Sequence, residues 1–185
     1  MPRFGWLLDP KKCIECRACE AACKQWNSVP TGLRFRKVHV SESGRYPDVR
    51  MQALSLACNH CDNPYCLRSC PTGAIEQHAD TGAILIRAEK CIGCRICEQA
   101  CPYGVPQFNA ATQKMMKCTF CYDRIEQNLQ PACASLCPTG ALQFFPWDDI
   151  KGLGTADQEG FFNPVYTRPA IRFVREGFPT PQGGR

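Results

Sequence analysis

Three things are missing from this sequence. No uncharged apolar run approaches the ~18 residues of a membrane-spanning helix, so any attachment to a bilayer would come through a partner. The opening stretch MPRFGWLLDPKKC has neither a basic segment followed by an apolar one nor a cleavage site. No two arginines are adjacent anywhere in the chain, so no export signal is expected. Also absent are a G-x-G-x-x-G on a strand-to-helix turn, a phosphate-binding loop and a nucleophile motif. These absences argue against an enzyme and for a protein whose chemistry is carried by something it binds.

What abounds is cysteine, 16 of 185 residues. A load of that size points to an oxidised secreted scaffold or to metal binding inside the cell, and the missing export signal favours the second. All the cysteines fall into four groups of four. Group I (Cys13, Cys16, Cys19, Cys23) and group III (Cys91, Cys94, Cys97, Cys101) are both spaced C-x2-C-x2-C-x3-C. Group II (Cys58, Cys61, Cys66, Cys70) widens the middle gap to four residues, and group IV (Cys118, Cys121, Cys133, Cys137) widens it to eleven. Groups II, III and IV end in Cys-Pro, whereas group I ends in Cys23-Lys24.

Three thiolates on a tight loop can each hold one iron of a cubane, and the fourth iron needs a ligand from elsewhere. In two-cluster ferredoxins the other motif supplies it. A disulfide framework has no reason to repeat this spacing. A zinc site would leave the third cysteine of each C-x2-C-x2-C run surplus. Four 4Fe-4S clusters are therefore expected, with no cysteine left over as a nucleophile.

The chain also repeats itself. CPTGAIEQ from Cys70 matches CPTGALQF from Cys137, and ILIRAEKCIGCRICEQAC from Ile84 matches WLLDPKKCIECRACEAAC from Trp6. In the middle of the chain the two half-units run in order. The outer halves run in reverse, so they are expected to pair across the chain, with 142–145 beside 6–8. The expected fold is α+β: two ferredoxin-like modules, one nested inside the other, with an inserted β-hairpin and an irregular C-terminal tail. The outer module would comprise 1–23 plus 102–146, the inserted hairpin 24–57, the inner module 58–101, and the tail 147–185, read as a partner-binding arm. Cross-ligation then assigns Cys13, Cys16, Cys19 and Cys137 to cluster I, and Cys118, Cys121, Cys133 and Cys23 to cluster IV. Cluster II would take Cys58, Cys61, Cys66 and Cys101, and cluster III Cys91, Cys94, Cys97 and Cys70.

Within the insert, LRFRKVHV and VRMQALSLA flank the turn-rich SESGRYPD, and YDRIEQNLQ in group IV has a helical pattern ended by Pro131. The formal charge of +5 would suggest nucleic acid, but four clusters at about −2 each bring the total to about −3. Lys12, Arg17, Lys90 and Arg95 flank the cysteine loops and are expected to act as counter-charge. On the same reasoning the acid-free start of group III would hold its cluster at a higher potential than group I, which carries Glu15. His60 is expected beside a cluster or exposed rather than as a ligand; His39 and His78 suggest no role.

The cysteine pattern, together with CIGCRICEQACPYGVPQ and KCTFCYDRIEQNLQPACASLCPTGAL, resembles the four-cluster iron-sulfur subunits of the dimethyl sulfoxide reductase family. That resemblance covers about residues 3 to 146. It implies a non-catalytic electron-transfer subunit, with a molybdenum or tungsten pterin catalytic subunit at cluster I and a quinone-reactive membrane anchor near cluster III. The clusters would be ordered I, IV, II, III. Nitrate reductase relatives carry a tryptophan in place of the second cysteine of group III; Cys94 stands there in this chain. A subunit of a soluble hydrogenase, formate or aldehyde oxidoreductase complex is the alternative, and a zinc-stapled interaction protein a further one. The expected location is peripheral on the cytoplasmic membrane through partners, or the cytoplasm.

Overall fold

The computed structural model describes residues 3–158 and 161–175. Strand β1 (Phe4–Leu8) is apolar throughout, and Trp6, Leu7 and Leu8 are buried. A strand with no polar face must be covered on both sides. The chain continues through helix α1 (Ala18–Trp26) and the strands β2 (Lys37–Ser43) and β3 (Arg50–Leu56). Next come the one-turn helix α2 (Tyr65–Arg68), strands β4 (Ile75–Gln77) and β5 (Ile84–Ile86), and helix α3 (Ile96–Ala100). Strands β6 (Gln107–Asn109) and β7 (Lys114–Met116) precede helices α4 (Tyr122–Ile125) and α5 (Ala132–Ser135). Strand β8 (Leu142–Pro146), helices α6 (Trp147–Ile150) and α7 (Pro164–Thr167) and strand β9 (Ile171–Phe173) complete the described chain.

Strand β8 runs antiparallel to β1, with Trp6 opposite Phe144 and Leu8 opposite Leu142. The strand that follows the second CPTGA thus lies against the N-terminal strand. In the middle of the chain β4 pairs with β5, Ile75 opposite Ile86. The two CPTGA turns therefore occupy equivalent places, each opening a strand that pairs with the strand leading into a C-x2-C-x2-C loop. Strands β2 and β3 form an antiparallel hairpin of seven pairs between the first two cysteine groups.

An aromatic cluster joins these pieces. Trp6 meets Phe120 and Phe144 at centroid distances of 5.0 Å each, and Phe120 meets Phe144 at 5.1 Å edge-on. Each such pair adds about 0.5–1.5 kcal/mol beyond the area it buries. The Trp6 Nε1–H also donates to the Cys58 carbonyl at 3.1 Å, tying the outer sheet to group II.

Two expectations need correction. The helix expected over YDRIEQNLQ ends after one turn, because Asn128 adopts φ 57° and Leu129 N–H turns back to the Arg124 carbonyl at 2.9 Å. Asparagine tolerates that left-handed conformation and so caps the turn. The segment after 146 is also less irregular than expected. Its β9 adds to β1 in parallel, Ile171 opposite Trp6, with Ile171 and Phe173 buried on either side of Arg172. Three residues are too few to show a period of two in the sequence, and the strand exists because β1 has an open edge to cover. The described part of this segment packs on the body; residues 176–185, where the expected partner-binding arm would end, lie outside the described residues.

Phe173→Ala should lower stability by about 3–5 kcal/mol, as large aromatic deletions in cores do. Val165→Ala, at a position 76% exposed, should stay within about 0.5 kcal/mol. Guanidinium unfolding followed by circular dichroism compares them, and equal midpoints would show that β9 is not part of the core.

Candidate metal centres

The four cysteine groups differ in spacing but share a backbone device. The residue just before the second cysteine is left-handed in every one: Glu15 at φ 58°, His60 at 42°, Gly93 at 71° and Phe120 at 64°. Such a conformation is unusual for Glu or His and rarer still for a bulky Phe, and residues held in it concentrate at functional sites. Arg17 and Arg95, which precede α1 and α3, are left-handed as well. Alternating handedness curls a short loop so that successive N–H groups point inward, an anion-binding concavity.

The CPTGA turn has its own role. With Gly73 at φ 62° and Gly140 at 65°, the chain doubles back on its own cysteine. Ala74 N–H then donates to Cys70 Sγ at 3.3 Å and Leu142 N–H to Cys137 Sγ at 3.4 Å. The Thr72 hydroxyl lies 3.6 Å from Cys70 Sγ. From β7, Met115 N–H reaches Sγ of Cys91, the first cysteine of group III, at 3.4 Å.

Three pockets are lined by four cysteines each. The first is walled by Cys13, Cys16, Cys19 and Cys137, the second by Cys58, Cys61, Cys66 and Cys101, and the third by Cys91, Cys94, Cys97 and Cys70. In each, three thiols come from one motif and the fourth from the far end of another. The remaining four meet where α1 packs on α5. Asn27 Nδ2 donates to Cys23 Sγ at 3.7 Å and to Cys121 Sγ at 3.8 Å, while Cys118 and Cys133 are buried in the same core cluster as Cys23. Twelve of the sixteen cysteines thus line three pockets in groups of four, and the other four lie around the contact of α1 with α5.

The donor chemistry fits a polynuclear iron-sulfur group. No carboxylate lines any of the three cavities, and soft thiolates with apolar walls select iron-sulfur clusters or zinc over hard ions. Among the described residues no three Cys, His, Asp or Glu side chains converge as a single ion requires; the thiols stand around a cavity instead. Burial, then the neighbouring Cys133, pushes the Cys23 thiol up to about 12; burial, then Cys58, does the same to Cys66. Cys97 is raised to about 11 by burial and Cys91. Such thiols ionise only with a cation to bind, so metal loading expels protons.

The charges around the loops differ from those expected. Arg17 Nη2 pairs with Glu15 at 2.9 Å and Arg95 Nε with Glu98 at 2.8 Å, both at the surface, and Lys12 lies 3.7 Å from Asp9. Both loop arginines are thus paired to acids, while Lys90, the other basic residue counted at group III, is exposed. Among the described residues the buried cations are Arg36, 2% exposed, and Lys117, 3% exposed. Lys117 Nζ donates to the carbonyls of Ile84 and Cys118. Lysine precedes the first cysteine in groups I, III and IV, but only Lys117 is buried, so the repeated Lys-Cys pair was too weak a signal. His60 is buried: its Nδ1 accepts from Ile84 N–H at 2.9 Å, its ring lies 3.7 Å from Phe120, and burial with Lys117 and Arg3 nearby keeps it neutral.

Comparison with known proteins agrees with this geometry. The family model for the 4Fe-4S dicluster domain matches residues 49–146, and that for a 4Fe-4S binding domain matches residues 10–26. An anaerobic dimethyl sulfoxide reductase chain of Haemophilus influenzae is 36% identical over 160 residues, covering 82% of this chain and 78% of its own length. The probable anaerobic dimethyl sulfoxide reductase chain YnfG of Escherichia coli K12 is 37% identical over 181 residues, covering 94% and 85%. A sulfite dehydrogenase subunit of Allochromatium vinosum is 35% identical over 165 residues, covering 78% and 69%. Thiols gathered around cavities, two matching 4Fe-4S domains and relatives aligned over most of their length lead to one conclusion: this chain belongs to the 4Fe-4S iron-sulfur subunits of the dimethyl sulfoxide reductase family.

Proposed function

We propose that the chain holds four 4Fe-4S clusters in two nested ferredoxin-like modules. It acts as a non-catalytic subunit between a molybdenum or tungsten pterin catalytic subunit and a quinone-reactive membrane partner. The observation that carries this reading is the composition of the cavities: three thiols from one loop and the fourth from a distant Cys-Pro turn. Cluster I is assigned to Cys13, Cys16, Cys19 and Cys137, cluster II to Cys58, Cys61, Cys66 and Cys101, cluster III to Cys91, Cys94, Cys97 and Cys70, and cluster IV to Cys118, Cys121, Cys133 and Cys23. Bound clusters of this kind take up and release single electrons. The protein's part is to hold them in sequence, exclude water and set their potentials.

The neighbour relations among the thiols support the order I, IV, II, III. Cys19 lies within electrostatic reach of Cys133, Cys118 of Cys58, and Cys66 of Cys97, which links adjacent sets at each of the three junctions. At the two ends Cys16 and Cys94 are exposed, beside Ile14 at 62% and Ile92 at 65% exposure. An apolar residue displayed next to an exposed ligand suits a docking surface where electrons enter or leave. Among the described residues no helix is long and apolar enough to cross a membrane, so in this reading membrane contact is made by the partner. The relatives named as a chain of a reductase and a subunit of a dehydrogenase support its place as one part of a larger oxidoreductase complex.

Iron and sulfide analysis of the anaerobically purified chain should give four of each per cluster for four clusters; zinc in place of iron would sink the proposal. Cys70→Ala should convert cluster III to a 3Fe species or remove it while cluster II survives, and Cys101→Ala should do the reverse. Paramagnetic resonance with iron counts reads both, and loss of cluster II in Cys70→Ala would show that the modules do not cross-ligate. Gly93→Ala should also lose cluster III, since a Cβ there would meet the Gln113 carbonyl oxygen in a loop held at φ 71°. Gly104→Ala, with open space around its Cβ and only a left-handed φ to strain, should keep all four clusters.

A further inference from the structure

The inserted hairpin brings one side chain that the cysteine pattern does not explain. Arg36 precedes β2 and is fully buried, with its guanidinium stacked 4.4 Å over the Trp6 ring. Of its five N–H groups, the two on Nη1 donate to the Ser55 carbonyl at 2.9 Å and the Ser55 hydroxyl at 3.2 Å. Nε and Nη2 are buried without a partner, and among the described residues no carboxylate pairs with this cation. A guanidinium never gives up its proton, and a buried charge is not held without an opposite charge nearby. The groups whose charge it feels most are Cys133, Cys118, Cys19 and Cys23, three ligands assigned to cluster IV and one assigned to cluster I.

A second contact points the same way. The Ser55 hydroxyl accepts from Arg36, which can only donate, so its own hydrogen is free for the Cys19 sulfur 3.2 Å away. Arg36 and Ser55 thus form a short donor path from the hairpin to a cluster I ligand, while the unpartnered Nε and Nη2 remain for the anions around them.

The geometry points to Arg36 as the shared counter-ion of clusters I and IV, raising the potentials of both, with Ser55 adding a hydrogen bond to cluster I alone. It is a positioning residue, acting through the sulfur ligands, and this inference rests on the four-cluster assignment above. Each reduction adds one negative charge to a cluster, and a fixed cation beside it favours that reduced form. The inserted hairpin then has a function in the electron path: it places a buried charge beside clusters I and IV that the loop arginines, paired to acids at the surface, do not supply.

The test is a redox titration, followed by paramagnetic resonance, of the full-length cluster-loaded chain, with signals assigned from the cysteine variants. Arg36→Met should lower the ratio of reduced to oxidised clusters I and IV at fixed potential by tenfold or more, a shift of ~59 mV for a one-electron couple. Clusters II and III should move less. Arg36→Lys, which keeps the charge, should leave clusters I and IV near wild type, and Ser55→Ala should lower cluster I only. Unmoved potentials for clusters I and IV in an iron-replete Arg36→Met protein would overturn the inference while leaving the four-cluster reading intact. If Arg36→Met fails to hold iron, full loading with wild-type potentials in Arg36→Lys supports the counter-ion role, and loss of iron in both assigns Arg36 to packing and overturns it. A wild-type chain with fewer than four clusters would overturn the underlying reading instead.

Discussion

Thiolates that bind iron carry negative charge into the protein interior, and sixteen cysteines in 185 residues leave little room for water to solvate such charge. Backbone N–H groups answer part of the demand. Each loop is curled by a left-handed residue before its second cysteine, and each CPTGA turn doubles back so that an amide meets its own sulfur. A hydrogen bond to an ionised acceptor is about twice as strong as a neutral one, so a few such contacts weigh heavily. Cations answer the rest, and their position decides their effect. The surface arginines beside the loops are neutralised by acids and screened by water, whereas Arg36 and Lys117 act through an apolar interior where charge is felt further.

The same need explains the topology. On the assignment proposed here, a tight three-cysteine loop does not complete a cubane by itself, so each site takes its fourth thiol from another motif, and for three of them that thiol stands at a Cys-Pro turn that must be fixed before the site exists. The sheets do the fixing: β1 on β8 holds Cys137 beside the group I loop, and β4 on β5 holds Cys70 beside the group III loop. These strands are short and the pairings join distant parts of the chain, so strand hydrogen bonds alone would hold them weakly against the entropy of closing such loops. Metal binding contributes folding free energy in proteins of this kind. On the assignment proposed here, cluster insertion and closure of the outer module are one event, because Cys23 and Cys137 bind across the full length of the cysteine region.

What was legible in the sequence follows from this division. Ligand sets depend on residue type and spacing within short motifs that repeat, and repetition reveals which half-unit belongs beside which. The pairing of β1 with β8 could be read for that reason, although Leu8 and Leu142 lie near opposite ends of the cysteine region. Strand β9 could not: three residues carry no usable period, and its place depends on an edge that β1 leaves open. Nor could the left-handed positions be read, since Glu, His, Gly and Phe occupy them and share no side-chain property. The shared feature is in the backbone, and each loop supports it with different neighbours.

Arg36 escaped sequence reading for a deeper reason. In LRFRKVHV it stands among other basic residues, and composition makes all of them look like solvated charge. Its burial is decided by Trp6, Ser55 and thiols from groups I and IV, which come from separate parts of the chain and converge only when the outer module closes. A ligand is recognisable by its type, whereas a counter-ion is defined by what surrounds it. Residues that hold the clusters are therefore written in the motifs, and residues that set the electrostatic environment of those clusters emerge only from the packed fold.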